Sequence, residues 1–235
     1  MVWGVELPLN SGMFCPDGSY VGWKERLTSY FNQLPEQSQL EYDNRPVVYF
    51  SRVAHKFHFE LGRKMGDNPP VGPIENHEWP NWFETEKRYS VIGSLLHLNS
   101  QVVVVDDTLR GIIERLDPGV HLFSPLRITM PKGEVYSKPF HVMVVGRFLE
   151  SFVVEKSAEG SFRNSETPGY YFSRGQLKEY MSGLAMSRDA IGSAHIWRER
   201  KLLSPDLFIS DALQNEISMA GLRIPKHWQL REVKS

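Results

Sequence analysis

Apolar residues in the second half of the chain recur in two patterns, which together predict alternating strands and helices. Residues 102–105 are four consecutive valines, a β-branched run that favours a buried strand. The next apolar residues lie on one face of a helix: Leu109, Ile112, Ile113 and Leu116. Gly119 marks the end of this helix, because glycine readily adopts the left-handed conformation that closes helices.

Further apolar runs predict strands at 120–128, 140–147, 191–197, 207–209 and 228–233. The run at 140–147 is apolar at both alternating sets of positions, which is typical of a strand that is buried on both faces. The predicted fold class is therefore α/β or α+β, with a mixed β-sheet that is flanked by helices.

Two segments of this predicted sheet resemble each other. Residues 105–109 and 209–213 share the same order of strand end, polar capping position, aspartate and first helical turn. Asp106 or Asp107 caps the first helix and Ser210 caps the second, since their oxygens accept hydrogen bonds from free backbone N–H groups. We interpret the pair as a βαβ-like unit used twice in one mixed layer, although capping and core spacing alone would also produce such a similarity.

The first hundred residues have a less regular pattern. Residues 20–34 have the apolar spacing of an amphipathic helix, 47–50 predict a short buried strand, and 53–65 have mixed, helix-like spacing. We therefore divide the chain into an N-terminal region, 1–98, and a C-terminal α/β region, 99–235, that are packed as one unit.

The segment 66–86 combines prolines, acidic residues and large aromatics, and it contains neither lysine nor arginine. Its prolines argue against a regular helix or a central strand and predict a long loop. A loop of this length is typical of a functional or mobile segment. We consider its acidic and aromatic residues a candidate partner-binding surface: Glu75, Glu78, Trp79, Trp82, Phe83 and Glu84. The alternative is a structural loop whose tryptophans pack on the protein's own core.

Charge and composition narrow the classes of function. Lysine and arginine total 27 and aspartate and glutamate 28, so the net charge is −1, and no long basic run is present. This balance argues against a nucleic-acid-binding protein. The single cysteine, Cys15, cannot form an internal disulfide. Neither a signal-peptide pattern nor an apolar run of membrane-spanning length occurs, so we expect a cytoplasmic protein with no membrane partner.

The chemistry-bearing residues form no established catalytic or metal motif. His55 and His58 have i, i+3 spacing, but no further ligands are suitably spaced, so we predict neither a metal nor a cofactor. An enzyme would have to use Asp106, Asp107 or His195. We favour a capping role for Asp106 and Asp107, because Ser210 occupies the matching cap position and cannot replace an acid catalyst. We favour a structural role for His195, because the sequence shows no third polar partner for it.

The C-terminal half resembles a bacterial immunity-protein family of polymorphic-toxin systems. Three consecutive motifs carry the resemblance: His195-Ile196-Trp197-Arg198, Leu207-Phe208-Ile209-Ser210-Asp211-x-Leu213 and Ala220-Gly221-Leu222. An earlier copy ends in Leu116-Asp117-Pro118-Gly119-Val120-His121, with Asp106 at the cap position where the family usually has serine. The resemblance covers about residues 100–230.

The resemblance implies a cytosolic, non-enzymatic protein that binds and neutralises a cognate toxin effector. The family brings no catalytic residues, and it does not indicate what the toxin does. Two alternatives stay open at this point. The first is an enzyme with an unrecognised site around Asp106, Asp107 or His195, and the second is an adaptor or chaperone that binds an effector without neutralising it.

Overall fold

A computed structural model describes residues 1–63, 70–173, 181–204 and 206–234 and shows an α+β fold. The described helices are α1 (Trp23–Gln33), α2 (Glu36–Leu40), α3 (Pro46–His55), α4 (Asp107–Leu116), α5 (Arg188–Ile191) and α6 (Asp211–Met219). The described strands are β1 (Val2–Val5), β2 (Gly18–Tyr20), β3 (Trp82–Thr85), β4 (Leu95–Leu98), β5 (Val102–Asp106), β6 (Leu122–Met130), β7 (Glu134–Val135), β8 (Phe140–Val144), β9 (Phe148–Leu149), β10 (Phe162–Asn164), β11 (Tyr171–Ser173), β12 (Ala185–Ser187), β13 (Ile196–Glu199), β14 (Leu207–Ser210) and β15 (His227–Val233).

The chain forms two compact units, each assembled from separate stretches. The first unit contains Met1–Leu9, Thr108–His121 and Val145–Ser235, and the second contains Asn10–Asp107 and Leu122–Val144. Each unit therefore takes chain from both sides of residue 98. The predicted division into 1–98 and 99–235 assumed that each region is one continuous stretch of chain. The two observed units each combine separate stretches that meet in one sheet.

The second unit is built on a seven-stranded sheet in the order β2-β3-β6-β8-β5-β4, with β7 paired to β6. One face of this sheet packs against α1 and α3 in a cluster of buried apolar residues: Trp23, Leu27, Phe31, Val53, Phe57, Phe83, Leu96, Val104, Ile128 and Val142. The first unit has a six-stranded sheet in the order β12-β15-β1-β14-β13-β9, and its core includes Val2, Phe152, Met186, Trp197, Phe208 and Leu230.

The two sheets repeat one five-stranded pattern. In β3-β6-β8-β5-β4 the first pair is parallel and every later pair is antiparallel, and β12-β15-β1-β14-β13 has the same sequence of directions. The strand–cap–helix similarity seen in the sequence is therefore part of a larger structural repeat. The expectation that both copies lie in one layer is wrong, because β5 and β14 belong to different sheets.

Backbone hydrogen bonds align the two copies residue by residue. The N–H of Asp106 donates to Ser94 O, and the N–H of Ser210 donates to His195 O, both at 2.9 Å. One residue later, Asp107 donates to Pro139 O and Asp211 donates to Met1 O. The central strand of the first copy is β8, which comes after β6 and β7 in the chain. Its counterpart in the second copy is β1, which comes from the N-terminus.

The predicted cap of the second helix, Ser210, and both closing glycines are present. Ser210 Oγ accepts a hydrogen bond from Leu213 N at 3.2 Å, as an N-cap should. Gly119 and Gly221 have φ values of 70° and 63°, in the left-handed region that follows helix ends. The local signals that defined the two copies are thus confirmed.

Replacing Ser210 with alanine should lower the free energy of unfolding by about 1 kcal/mol, because the first turn of α6 loses its cap. Urea unfolding at neutral pH measures this loss. Ser218→Ala is the matched control, since Ser218 is exposed at the other end of α6. A Ser210 variant as stable as the control would contradict the capping role.

Two secondary-structure predictions are wrong, and a third is only partly right, because the strand predicted at 191–197 begins at Ile196, after α5 has ended at Ile191. Residues 47–50 lie in α3 rather than in a strand, because Pro46 opens the helix and Tyr49 and Val53 face the core one turn apart. The end of the predicted loop is β3, an interior strand between β2 and β6, because every proline of 66–86 precedes residue 82. Residues 66–69 of that loop lie outside the described residues.

Candidate functional site

The six residues of the predicted partner-binding surface separate into buried and accessible groups. Glu78 is 2% exposed and closes a capping box with Glu75, whose N–H donates to Glu78 Oε2 at 2.7 Å. Lys56 Nζ contacts both oxygens of the Glu78 carboxylate, at 2.5 and 2.7 Å. Glu78 is therefore a buried structural group and not part of an accessible acidic surface.

Phe83 and Trp79 pack inward. Phe83 is fully buried, and its ring lies edge-on to Tyr20 with centroids 5.3 Å apart. Trp79 is partly buried against Phe57, and its backbone carbonyl accepts a 2.6 Å hydrogen bond from Arg26. Phe83 and Trp79 therefore pack on the protein's own core, as expected for a structural loop.

Glu75, Trp82 and Glu84 remain accessible. The Glu75 side chain is 59% exposed, and its carboxylate lies 3.4 Å from His77 Nδ1. Trp82 and Glu84 are half-buried and alternate with Phe83 along β3, so they lie on the sheet face opposite the core. The accessible part of the predicted surface is thus centred on one face of β3.

We call this face the outer face, defined by Ser19 on β2, Trp82 and Glu84 on β3, and Pro125 and Arg127 on β6. Direct cross-strand pairs place them together, because Glu84 pairs with both Ser19 and Thr129, and Trp82 pairs with Arg127. Ser19, Pro125 and Arg127 are exposed. Tyr20, Phe83 and Ile128 on the opposite side belong to the core.

Trp82 and Arg127 are the large side chains of the outer face. The Arg127 guanidinium carbon lies 5.3 Å from the centre of the Trp82 ring, within the range of a cation–π contact. The indole N–H donates to Thr129 Oγ1 at 2.8 Å, which fixes the ring on the sheet. Sequence inspection found Trp82 but missed Arg127, since only the strand pairing brings the two residues together.

A shallow groove borders the outer face next to Val135, which pairs with Thr129 and is 54% exposed. The groove has a volume of about 570 Å³ and includes Tyr89 and Tyr136 in its wall. The Arg88 and Glu134 side chains pair at 2.5 Å on its rim. The groove therefore extends the accessible surface beyond β6.

The carboxylates of the enzyme alternative have structural partners. Asp106 is 2% exposed, with Lys138 Nζ 3.9 Å away. Asp107 Oδ1 lies 3.0 Å from His141 Nε2, and in the other copy Asp211 Oδ1 accepts from Trp3 Nε1 at 3.1 Å. Because an indole cannot exchange protons as an imidazole does, this shared contact favours a helix-anchoring role for Asp107.

His195 also makes contacts within its own unit. Its Nδ1 lies 2.8 Å from Ser210 Oγ, and its backbone N–H donates to Asp117 Oδ2 at 3.0 Å. Ile196 N donates to the same oxygen, and His121 Nε2 lies 3.4 Å away. The buried Asp117 carboxylate therefore ties the end of α4 to the start of β13.

Asp117 and Glu199 are buried carboxylates with opposite pKa shifts. Burial raises the pKa of Asp117, but hydrogen bonds from His121, His195 N and Ile196 N and the charge of Arg147 outweigh burial, so the pKa lies below its usual value. For Glu199 burial prevails and raises the pKa, although the carboxylate accepts hydrogen bonds. Sequence inspection assigned neither residue a role, because their donors come from distant parts of the chain.

Arg198, which precedes Glu199 in β13, is also buried. Burial lowers the pKa of its guanidinium to about 10, and the charge of Asp206 acts in the opposite direction. Arg198 is 5% exposed, so its guanidinium has no open surface on which to bind an anion. Its place in β13 is that of an interior residue of the sheet.

Burial, followed by the charge of Asp17, raises the pKa of the Cys15 thiol, which makes it a poorer nucleophile. Among the described residues, no group of three or more His, Cys, Asp or Glu side chains could hold a metal ion. None of the helices in the same part of the chain combines the length and apolar content needed to cross a bilayer.

Comparison with known proteins identifies a family. The sequence profile of the Imm11 immunity protein family matches residues 23–233. This match confirms the resemblance seen at about residues 100–230 and extends it towards the N-terminus, so that it includes β3 and every residue of the outer face except Ser19. No curated protein matches the chain.

Proposed function

The chain belongs to the Imm11 immunity protein family, and from this we propose that it neutralises a cognate bacterial toxin by stoichiometric occlusion. The family match over residues 23–233 carries the proposal. The protein acts in the cytoplasm of the toxin-producing cell and covers the toxin's active site or a surface that the toxin requires. Its polar residues maintain the fold and the interface, and no catalytic step is needed.

The outer face supports this proposal, and the accessible carboxylate of Glu75, beside His77, adds a second acidic group outside that face. Tight complexes depend on a few aromatic and charged residues at well-packed positions more than on total area. Trp82 supplies such an aromatic, and Glu75 and Glu84 supply accessible negative charge. Charge that complements the toxin would speed the encounter of the two proteins.

The combined charge reversal Glu75→Lys and Glu84→Lys should weaken binding to the toxin domain encoded beside this chain's gene by roughly tenfold, mainly through slower association. Surface plasmon resonance at two salt concentrations measures the rates. Glu36→Lys with Glu41→Lys is the matched control, since both residues are exposed at the ends of α2. Equal association rates for the two double variants would remove Glu75 and Glu84 from the interface.

Co-expression separates occlusion from the two alternatives. An occluding protein restores growth in the presence of active toxin. It inhibits the toxin completely at about one molecule of this protein per toxin molecule. An adaptor or chaperone would bind the toxin without restoring growth. An enzyme would inactivate many toxin molecules, or a toxin product, at ratios far below one, and either result would refute the proposed function.

A further inference from the structure

The second repeat provides an internal reference for the outer face. The pairing of Trp82 with Arg127 between β3 and β6 corresponds to the pairing of Ala185 with Arg231 between β12 and β15. Ala185 is fully buried. The shared strand pattern therefore forms with alanine at the position of Trp82, so a large, half-buried aromatic is not a requirement of this architecture.

The equivalent arginines, Arg127 and Arg231, also differ in their contacts. The Arg231 guanidinium donates to the backbone carbonyl of Lys156, so its own chain uses it. The Arg127 side chain lies over the Trp82 ring, and in the described part of the chain no carboxylate lies within ion-pair distance of it. The N–H groups of an exposed arginine are suited to paired hydrogen bonds with a carboxylate.

Glu84 adds the opposite charge at a short spacing. It pairs with Thr129, two residues beyond Arg127 on β6, which corresponds to roughly 7 Å along the strand. Within the described ranges Glu84 also forms no ion pair. The outer face thus presents the Arg127 cation and the Glu84 anion on neighbouring strands. The Trp82 indole lies beside Arg127 and is held by its hydrogen bond to Thr129.

We propose that the outer face binds a segment of the toxin that presents a carboxylate to Arg127 and a lysine or arginine to Glu84, with an apolar contact on Trp82. This inference rests on the proposed function and names the partner chemistry of its interface. Because the Thr129 hydrogen bond already holds the Trp82 ring in place, little side-chain freedom is lost on binding. Tryptophan and arginine are also the residue types that most often dominate binding energy.

Titration of the purified, catalytically inactive toxin domain from the neighbouring gene tests the inference. Arg127→Ala should weaken binding by roughly 30-fold, and Arg127→Lys should recover only part of it because lysine lacks the planar donor pair. Trp82→Phe should weaken binding less than Trp82→Leu, since phenylalanine keeps a ring beside the guanidinium. Arg231→Ala, the equivalent residue of the other sheet, should bind within twofold of the parent protein.

Urea unfolding of each variant keeps the test independent of folding. Arg127→Ala should be nearly as stable as the parent protein, because within the described chain it loses only an exposed cation–π contact with Trp82 and no ion pair. Binding by Arg127→Ala and Trp82→Leu within threefold of the parent protein, while the parent still neutralises the toxin, would overturn the inference and leave the proposed function intact.

Two other outcomes would also contradict the inference that the outer face binds the toxin. A parent protein that neither binds nor neutralises the toxin would refute the proposed function together with the inference. Sedimentation that shows a dimer abolished by Arg127→Glu would assign the outer face to a second copy of the chain, and it would likewise overturn the inference.

Discussion

Replacing Glu199 with alanine is expected to lower the free energy of unfolding by about 3–5 kcal/mol, because buried donors would lose their acceptor. Glu199 Oε2 accepts from Ser151 N and Ser151 Oγ, both at 2.7 Å, and from Phe152 N at 3.1 Å. The carboxylate lies in β13 and fixes the segment that follows β9. Urea unfolding followed by circular dichroism measures the loss.

Glu199→Gln and Glu150→Ala are the informative controls. Glutamine retains an oxygen for the three donors, and the Glu150 side chain is 55% exposed, so both should lose far less than Glu199→Ala. Because burial raises the folded-state pKa of Glu199, ionisation costs stability as the pH rises from the unfolded-state value, about 4.3, through the folded-state pKa. The deficit of Glu199→Gln should therefore narrow over that window, and a constant deficit would contradict the raised pKa.

Replacing Asp117 with alanine should cost about 3 kcal/mol or more, since one buried carboxylate holds two backbone N–H groups and two side chains. The N–H groups of His195 and Ile196 would lose their acceptor, and Arg147 Nη1, 3.5 Å from Oδ1, would lose its counter-charge. Equilibrium urea unfolding again provides the measurement. A loss as small as that of an exposed residue would refute this role.

Glu114→Ala is the matched control for Asp117, because Glu114 lies on α4 and forms only an exposed pair with Arg110. Its loss should be about 0.3–0.5 kcal/mol. The lowered pKa of Asp117 means that its contribution is complete above the unfolded-state value, about 3.9, and is lost as the pH falls through the folded-state pKa. Asp117→Asn should therefore be closest in stability to the parent protein in acid and furthest from it at neutral pH.

Local signals predicted the two strand–cap–helix copies correctly. The valine run became β5, the i, i+3, i+4, i+7 spacing became α4, and Ser210 caps α6. Each of these features depends on neighbours within one turn of helix or one strand. The sequence therefore contains all the information that decides them.

The strand predicted at 47–50 was wrong because a short apolar run has no unique period. The loop predicted at 82–85 was wrong because the prolines that indicated a loop all precede residue 82. Val47, Val48, Tyr49 and Phe50 would suit a buried strand, yet α3 places Tyr49 and Val53 against the same core cluster. Likewise, Trp82–Thr85 becomes a strand only because β2 and β6 lie on either side of it. Long-range pairing decided both segments.

The N-terminal strand shows the same dependence on distant residues. Val2–Val5 is too short to be identified in the sequence, but it completes the first unit's sheet between β14 and β15. Gly4 leaves room there for the side chains of Met181 and Leu230, since a Cβ at that position would force Met181 to move and would crowd Leu230. The place of β1 in the repeat became visible only from the strand pairing.

The amino-acid order alone settled the Ser210 cap, the buried valine strand, the two similar segments and the family, because each depends on contiguous residues. It also identified Trp82 and Glu84 as candidate binding residues, but not which of the six acidic and aromatic side chains stay accessible. Burial of Glu78 against Lys56, burial of Phe83 in the core and the approach of Arg127 to Trp82 all arise from chain segments that are far apart in sequence. Tertiary structure decides these features, because a side chain's exposure and charge partners depend on which strands become its neighbours.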